Sequence, residues 1–327
     1  MSRFLPIDDS SRVAEARRLA LTVGRAEGMN DAAIASAELV ASEMATNLSK
    51  HAKGGELLIE RLSAQGLSGI DIITVDKGPG IFSIEQCLED GYSRSGTSGT
   101  GLGAIKRVAR VFDAYSDVGK GTVMLARITE HPDQNMTVGS AGRPVAGEDL
   151  SGDSWAMRTE GDHSMFIVAD GLGHGIQAAE ASAEAVSAFR TSSEPGPALV
   201  LNRVHRALRG TRGAAVAIAS LDRKKRIVRY AGIGNIAGVV VGSSKSQFMI
   251  SHNGTAGHEA AHFQEFSYQF PESSLLIMHS DGLSSTWNLK SYPGLQWRHP
   301  SVIGGVLYRD AGRVRDDACI VVAKECA

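Results

Sequence analysis

The sequence predicts an α/β protein with two domains in tandem. The chain has 327 residues, about twice the ~150 residues of an average domain, and 43% of them are hydrophobic. Helix-type and strand-type patterns alternate over the first 130 residues, whereas short strand-type segments dominate the remainder. A polar stretch with Gly and Pro at 129–144 separates the two regions. The predicted domains are therefore 1–130 and 136–327, with a linker at 131–135.

Apolar spacing gives the elements of the first domain. Residues recur at helical intervals over 8–27, 30–52 and 101–112, which predicts three helices. Alternation of apolar and polar residues predicts strands, which are placed at 56–62, 69–76, 113–118 and 121–128.

The second domain is predicted to be richer in strands. Two helices are expected at 174–190 and 196–209. The strands are expected at 154–159, 164–169, 214–221, 226–232, 236–241, 263–270, 274–279 and 318–323.

Charge and cysteine usage exclude several functional classes. The 34 basic and 36 acidic residues nearly cancel, which gives no reason to expect a nucleic acid or an anionic membrane as partner. The three cysteines, Cys87, Cys319 and Cys326, have no metal-ligand spacing and suit a reducing compartment. The polar first residues do not resemble a signal peptide, and no apolar run is long enough to span a membrane. We therefore expect a cytoplasmic protein; the sequence leaves open whether it forms a homo-oligomer.

A first group of motifs predicts a nucleotide site. Glu43 and Asn47 are four residues apart on a predicted helix, so they share one face and could hold Mg²⁺ and orient a nucleophile. Asp76 follows a strand, where its carboxylate can accept a hydrogen bond from an exocyclic amine. Gly78 and Gly80 permit close approach of the backbone.

The second glycine-rich run of this half precedes a predicted helix. Gly99, Gly101 and Gly103 lie where backbone N–H groups at a helix N-terminus suit a phosphate, and Thr122 starts a later strand. Each motif alone is weak, but their order is specific and resembles the Bergerat-fold (GHKL) ATPases. Within that superfamily, "EDGYSRSGTSGTGLGAIKRVARVFD" is most similar to the RsbT-like switch serine/threonine kinases of stressosome signalling.

This resemblance implies an α/β sandwich that binds ATP and phosphorylates Ser or Thr on proteins of the STAS fold. Asn47 would bind Mg²⁺, Glu43 would be the general base, and Asp76 would contact the adenine amine. Gly78 and Gly80 would line the base pocket. The remaining residues assigned to the nucleotide site are Gly99, Gly101, Gly103 and Thr122.

A second group of motifs predicts a metal site in the C-terminal half. Asp170 follows an apolar strand, and no Lys follows its glycines, so a P-loop is excluded. Further aspartates lie at strand ends, namely Asp153, Asp281, Asp316 and Asp317. If these ends converge, their charges require cations, and an all-oxygen site favours Mg²⁺ or Mn²⁺. His174 is expected to form hydrogen bonds beside the metals.

The motifs "GEDLSGD", "VADGLGHG", "YAGIGN", "HSDGLSS" and "RDDACIVVA" resemble the 2C-type metal-dependent Ser/Thr phosphatases, with the SpoIIE and RsbX branch most similar. The resemblance implies an α/β/β/α sandwich with two metal ions, and catalytic roles for Asp170 and Asp281. Asn235 would support the site. Arg143 is the candidate counterpart of the arginine that lies near the start of animal-type 2C phosphatases. The implied ligands are Asp153, Asp170, the carbonyl of Gly171, Asp281 and Asp316, with Asp317 as the alternative to Asp316.

The two halves together predict a bifunctional kinase and phosphatase that acts on STAS-domain regulators in a partner-switching pathway. Two alternatives remain. The N-terminal half could be a nucleotide-dependent partner-binding module, similar to an anti-sigma factor, fused to an active phosphatase. The phosphatase half could instead be an inactive scaffold, although its full set of aspartates argues against this.

Overall fold

The computed structural model describes residues 2–52, 54–87, 101–131, 136–243, 245–260 and 262–326, which form three five-stranded antiparallel sheets. The helices are α1 (Arg12–Ala26), α2 (Asp31–Asn47), α3 (Ile84–Cys87), α4 (Gly101–Val108), α5 (Ile176–Arg190), α6 (Pro197–Ala207) and α7 (Pro300–Ala311). The strands are β1 (Arg3–Ile7), β2 (Gly55–Arg61), β3 (Ile70–Val75), β4 (Val111–Asp117), β5 (Gly121–Ile128), β6 (Met136–Arg143), β7 (Asp153–Glu160), β8 (His163–Gly171), β9 (Ala214–Asp222), β10 (Ile227–Ile233), β11 (Ala237–Val241), β12 (Ser246–Phe248), β13 (Phe266–Gln269), β14 (Leu275–His279) and β15 (Ala318–Glu325).

The N-terminal half is one sheet with helices on one of its faces. Its strand order is β1-β2-β3-β5-β4, and α1, α2 and α4 pack on it through a core that includes Val40, Met44, Ile59 and Ile72. Helix α2 begins where the side chain of Asn30 accepts the N–H of Ala33 at 2.8 Å, a standard N-cap. Such a sheet with one helical layer is the α/β sandwich expected for an ATPase of this type.

The C-terminal half is a sandwich of two sheets, ordered β13-β10-β9-β8-β7 and β12-β11-β14-β15-β6. Their inner faces meet in an apolar core that contains Phe166, Val168, Met278 and Val321. Helices α5 and α6 cover the first sheet, and α7 covers the second. The predicted α/β/β/α architecture is therefore confirmed.

Helix α7 also packs against the N-terminal sheet, so it lies between two sheets. Its apolar residues Val302 and Val306 belong to one core with Ile73 of β3 and Ile320 of β15. Gly305 makes this close packing feasible, because a methyl group at that position would lie 2.7 Å from Cγ1 of Val123. The two halves consequently share a hydrophobic core and are joined by more than the connecting chain.

A buried ion pair lies at this shared core. Arg127 of β5 donates two hydrogen bonds to Asp71 of β3, at 2.7 and 2.8 Å, and both side chains are 1% exposed. Arg127 also donates to the carbonyl of Val138 in β6, and the hydroxyl of Ser301 in α7 donates to Asp71 at 2.7 Å. Strands from both halves and helix α7 therefore satisfy one buried charge pair, which is the arrangement such a pair requires.

Several elements differ from the sequence-based prediction. Strands β1, β6 and β12 and helices α3 and α7 were not predicted, and the helix expected at 101–112 ends at Val108, where β4 soon begins. The sequence of α7, "PSVIGGVLYRDA", contains two glycines and two valines that disfavour a helix, so tertiary packing overrides its propensity. The glycines of β6 are explained by close packing, since a methyl group on Gly139 would lie 2.0 Å from the backbone nitrogen of Ser301.

The part of the chain that the structure describes has no helix both long and apolar enough to cross a membrane.

Candidate active sites

Asp76 directly follows strand β3 and is held by the backbone. Its Oδ1 accepts the N–H of Gly78 at 2.7 Å and that of Thr122 at 3.2 Å, and the side chain is buried. Burial raises the pKa of Asp76, while these two amides and the charge of Arg309 in α7 oppose the rise. The carboxylate is thereby fixed in one orientation, as recognition of a planar base requires.

The glycines after Asp76 are required by the packing of the chain. A methyl group on Gly78 would lie 2.9 Å from Cα of Ala52, where a π-helical turn continues α2. Gly80 has a φ of +75°, and a methyl group there would lie 2.5 Å from the carbonyl of Asp117. The sequence predicted these glycines as the wall of a base pocket, and the structure adds that the loop folds closely on its own neighbours.

Glu43 and Asn47 lie one turn apart on α2, as predicted, and both are half-buried. Neither side chain forms a hydrogen bond or an ion pair with another residue of the described ranges. Gly101, the first residue of α4, lies next to Glu43, because a methyl group on it would be 3.0 Å from Oε2. Gly103 is buried within the same helix, and Gly99 lies outside the described residues. Thus Glu43, which has no partner among the described residues, lies beside the N-terminus of α4.

Thr122, the remaining residue assigned to the nucleotide site, lies on β5 next to Asp76. Its hydroxyl is 2.9 Å from the hydroxyl of Ser116 on β4, and its backbone N–H is the one that Asp76 accepts. Thr122 therefore connects the strand pair β4–β5 to the carboxylate.

In the C-terminal half, strand register places two predicted ligands opposite each other. Asp153 begins β7 and Asp170 lies near the end of β8, and the antiparallel pairing aligns one with the other. Directly paired residues project from the same face of a sheet, so both carboxylates are on one face. Gly171 closes β8, and its N–H donates to the carbonyl of Gly152 at 3.0 Å.

The second sheet contributes the remaining carboxylates. Asp281 lies just after β14, and Asp316 lies just before the neighbouring strand β15. The charge of Asp281 is near enough to raise the pKa values of Asp170 and Asp316. Asn235 donates to Oδ2 of Asp281 at 2.7 Å, which is the supporting position expected for it.

Among the described residues, no basic side chain forms an ion pair with the carboxylates of this cluster. Burial and the neighbouring Asp281 and Asp316 raise the pKa of Asp170 to about 8. Burial, together with Asp170, also raises the pKa of Asp153, whose Oδ1 is buried without a hydrogen-bond partner. Like charges in one site with a buried, unpartnered oxygen are the environment that a divalent cation resolves. The donor set consists of oxygens, so it fits Mg²⁺ or Mn²⁺.

In the described residues, no three His, Cys, Asp or Glu side chains converge closely enough to enclose a metal ion by themselves.

Asp316 and Asp317 have different environments. Oδ1 of Asp317 accepts the N–H of Val145 at 2.8 Å, and its Oδ2 accepts the N–H of Gly152 at 2.9 Å. Both oxygens are thus used to hold the segment that leads into Asp153. Asp316 has its carboxyl group near Asp281 instead. The geometry therefore favours Asp316 over Asp317 as the ligand.

Two further residues of the site were not predicted. The hydroxyl of Ser280 donates to Oδ2 of Asp153 at 2.6 Å and accepts the N–H of Cys319 at 3.1 Å. Glu148 lies 2.9 Å from Nδ1 of His174, so that the histidine forms a side-chain hydrogen bond as expected. Ser280 immediately precedes Asp281, but its bond to Asp153, 127 residues away, leaves no signal in the sequence.

Arg143, the candidate counterpart of the early arginine, lies outside the carboxylate cluster. It is buried at the junction of the two halves, where its guanidinium is 6.0 Å from the ring centres of Phe4 and Tyr308. It also donates to the carbonyl of Arg313 at 3.2 Å. These contacts assign Arg143 a packing role.

The N-terminal half is an α/β sandwich with an Asp-x-Gly-x-Gly loop, and the C-terminal half is an α/β/β/α sandwich with clustered carboxylates. Together they define a protein that combines a GHKL-type ATPase domain with a 2C-type phosphatase domain. The family model for Stage II sporulation protein E (SpoIIE) matches residues 160–324, half of the chain, and the chain belongs to this family. The model for the Histidine kinase-like ATPase domain matches residues 7–128.

Characterised relatives divide in the same way. The serine/threonine-protein kinase RsbT of Bacillus subtilis (strain 168) is 36% identical over 114 residues, which are 35% of this chain and 86% of RsbT. The phosphoserine phosphatase RsbX of the same organism is 25% identical over 139 residues, which are 42% of this chain and 70% of RsbX. The predicted fusion of an RsbT-like kinase domain with an RsbX- and SpoIIE-like phosphatase domain is confirmed.

Solved structures show the same relationship. A structure from work on the bacterial stressosome, described as a modular system adapted to control secondary messenger signaling, is 26% identical, with a TM-score of 0.55. It covers 58% of this chain and 100% of its own. The structure of RsbX in complex with magnesium is 20% identical, with a TM-score of 0.52, and covers 60% of this chain and 98% of its own, which supports the fold.

Proposed function

We propose that this protein both phosphorylates and dephosphorylates Ser or Thr residues of STAS-domain regulators in a partner-switching pathway. The observation that carries the proposal is the presence of two complete sets of site residues in one chain that resembles a kinase and a phosphatase of one organism. The likeness to the stressosome structure supports the pathway. The two activities would set the phosphorylation level of one shared substrate.

For the phosphatase, bound Mg²⁺ or Mn²⁺ ions would supply an activated water and neutralise charge on the phosphoryl group. The residues that would hold them are Asp153, Asp170, the carbonyl of Gly171, Asp281 and Asp316. Ser280 fixes Asp153, and Asn235 fixes Asp281, so each partner limits the rotation of a ligand. The raised pKa of Asp170 supports this assignment, because perturbed carboxyl groups cluster at functional sites.

For the kinase, Asp76 would bind the amine of adenine, and Asn47 would hold the Mg²⁺ that accompanies ATP. Glu43 would accept the proton of the substrate hydroxyl. The oxygen of that hydroxyl would attack the γ-phosphorus, and ADP would leave. The supporting observation is that Glu43 and Asn47 have no partner among the described residues, and that Glu43 lies beside the N-terminus of α4, where a phosphate is favoured. Phosphoryl transfer depends mainly on positioning, which these residues provide.

The two activities can be tested separately in the full chain with a STAS-domain protein, radiolabelled ATP and Mn²⁺. Glu43→Gln should abolish labelling, whereas Asp281→Asn should retain labelling and lose its removal. The matched controls are Glu38→Gln, which lies on α2 with Glu43 and is paired with Arg17, and the exposed Asp149→Asn. Both controls should behave as the wild type.

Three results would revise the proposal. Removal of label by Asp281→Asn at the wild-type rate would contradict the metal assignment. Unchanged labelling by Glu43→Gln would contradict the assigned base. Capture of the STAS protein by wild-type protein and ATP without any transfer of phosphate would establish the N-terminal half as a partner-binding module.

A further inference from the structure

The proposed phosphatase site needs a positively charged side chain that can bind the phosphoryl group of the substrate. A phosphoserine carries between one and two negative charges near neutral pH, and it must approach a site built from four aspartates. Metal ions offset the charge of the aspartates, but the oxygens of the phosphoryl group still need donors. Arg143 is not available for this role, because it is buried against Phe4 and Tyr308.

Arg212 lies next to the loop that follows Asp170. This loop contains Gly171 and Gly173, and a methyl group on Gly173 would lie 3.2 Å from Nη1 of Arg212. Arg212 is exposed, and its guanidinium forms no hydrogen bond or ion pair with any other described residue. A cation therefore lies unpaired beside the segment whose carbonyl is assigned to a metal.

The backbone that carries Arg212 is firmly held. The carbonyl of Gly213 accepts the N–H of Leu172 at 3.0 Å, which ties this segment to the Asp170 loop. Thr211 accepts the N–H of Gly213 through its hydroxyl at 3.0 Å, and that hydroxyl donates to the carbonyl of Leu208 at 2.8 Å. Gly213 has a φ of +80°, and a methyl group there would lie 2.7 Å from the carbonyl of Ala256.

A fixed backbone that presents an unpaired guanidinium is an arrangement for ligand binding. A structural arginine of this fold has partners, as Arg127 and Arg158 do, whereas Arg212 has none in the described chain. The guanidinium group can donate two parallel hydrogen bonds to a phosphate, with a geometry that the ammonium group of lysine does not offer.

We propose that Arg212 binds the phosphoryl oxygens of the phosphoserine or phosphothreonine substrate and orients them toward the metal cluster. This inference rests on the proposed phosphatase activity and adds a substrate-binding residue to it. The same contact would bind inorganic phosphate, the product of hydrolysis. Arg212 would therefore serve any phosphomonoester, whereas contacts farther from the phosphorus would select the protein.

The test compares Arg212→Ala and Arg212→Lys in the full chain saturated with Mn²⁺. We expect Arg212→Ala to raise both the KM for p-nitrophenyl phosphate and the dissociation constant of inorganic phosphate about tenfold, since a hydrogen bond to a charged group contributes about that factor. Arg212→Lys should lie between Ala and wild type, because it keeps the charge and loses the fork. Calorimetry gives the phosphate affinity independently of turnover.

Two controls separate the possible causes. Arg206→Ala removes an exposed arginine from α6 and should leave both constants unchanged. The rise in melting temperature on addition of Mn²⁺ should be the same in Arg212→Ala and wild type, because Arg212 holds no metal. A smaller rise would show that the substitution disturbs the metal loop, and it would overturn the assignment of substrate binding.

The result that overturns the inference is a KM and a phosphate affinity of Arg212→Ala within twofold of wild type. Loss of kcat with unchanged KM and phosphate affinity would also contradict it. Failure of the proposed function is distinguishable, because wild-type protein would then hydrolyse neither p-nitrophenyl phosphate nor a phosphorylated STAS protein.

Discussion

Two groups of buried carboxylates in this protein have opposite electrostatic surroundings. At the junction of the halves, Asp71 receives two hydrogen bonds from Arg127 and one from Ser301. In the phosphatase site, Asp153 and Asp170 have acidic neighbours, and one oxygen of Asp153 is buried without a partner. Asp71 is thus neutralised by the protein, whereas the carboxylates of the phosphatase cluster repel one another. The difference separates a structural carboxylate from those that we propose as metal ligands.

The largest loss of stability is expected at Asp71, whose charge is balanced by Arg127. Asp71→Ala leaves the guanidinium of Arg127 buried and unpaired, at a cost of about 3–5 kcal/mol of the free energy of unfolding. Chemical denaturation of the purified chain measures this loss. The comparison variant is Asp117→Ala, which removes the half-buried partner of the exposed Lys120 and should cost at most about 1 kcal/mol. Equal losses in the two variants would mean that the buried pair has no special role.

In the phosphatase cluster, removal of a carboxylate should instead raise the stability of the metal-free protein. Asp170→Asn removes one carboxyl that becomes less acidic on folding, so the metal-free variant should melt several degrees above the metal-free wild type. The same variant should lose phosphatase activity and most of the stabilisation by Mn²⁺. Differential scanning calorimetry with and without a chelator gives both quantities. A metal-free Asp170→Asn protein that melts below wild type would remove the distinction between the two carboxylate groups.

The carboxylates proposed as metal ligands were easier to select from the sequence than the structural ones. Asp153, Asp170, Asp281 and Asp316 each lie at the end of an apolar segment, and the order of their motifs indicates the family. The pairing of Asp71 with Arg127 depends on which strands become neighbours, and nothing within "IDIITV" or "VMLARI" reports it. The hydrogen bond from Ser280 to Asp153 escaped prediction for the same reason.

Helix α7 shows the limit of local patterns most clearly. Its two glycines and its β-branched residues disfavour a helix, yet it is buried between two sheets. Gly305 is required because Val123 of the other half lies against it, a constraint that exists only once both domains are folded. The boundary predicted at 131–135 falls almost wholly outside the described residues and stays a prediction.

A pH dependence of stability should distinguish the metal-free from the metal-bound form of the phosphatase site. The pKa of Asp170 is raised from 3.8 to about 8 in the folded protein, so between these values the folded state binds more protons than the unfolded state. The free energy of unfolding of the metal-free protein should therefore fall as pH rises from about 4 to about 8. Asp153 acts in the same direction, because its pKa is also raised.

Metal ions should reverse part of this trend. Protons and cations compete for the same oxygens, so the increase in melting temperature caused by Mn²⁺ should grow with pH over that interval. Melting curves at several pH values, with chelator and with saturating Mn²⁺, measure the effect, and Asp170→Asn should show a shallower dependence in the metal-free state. A Mn²⁺ effect that is constant from pH 5 to 8 would mean that these carboxylates do not bind the ion, since binding to them must displace their protons.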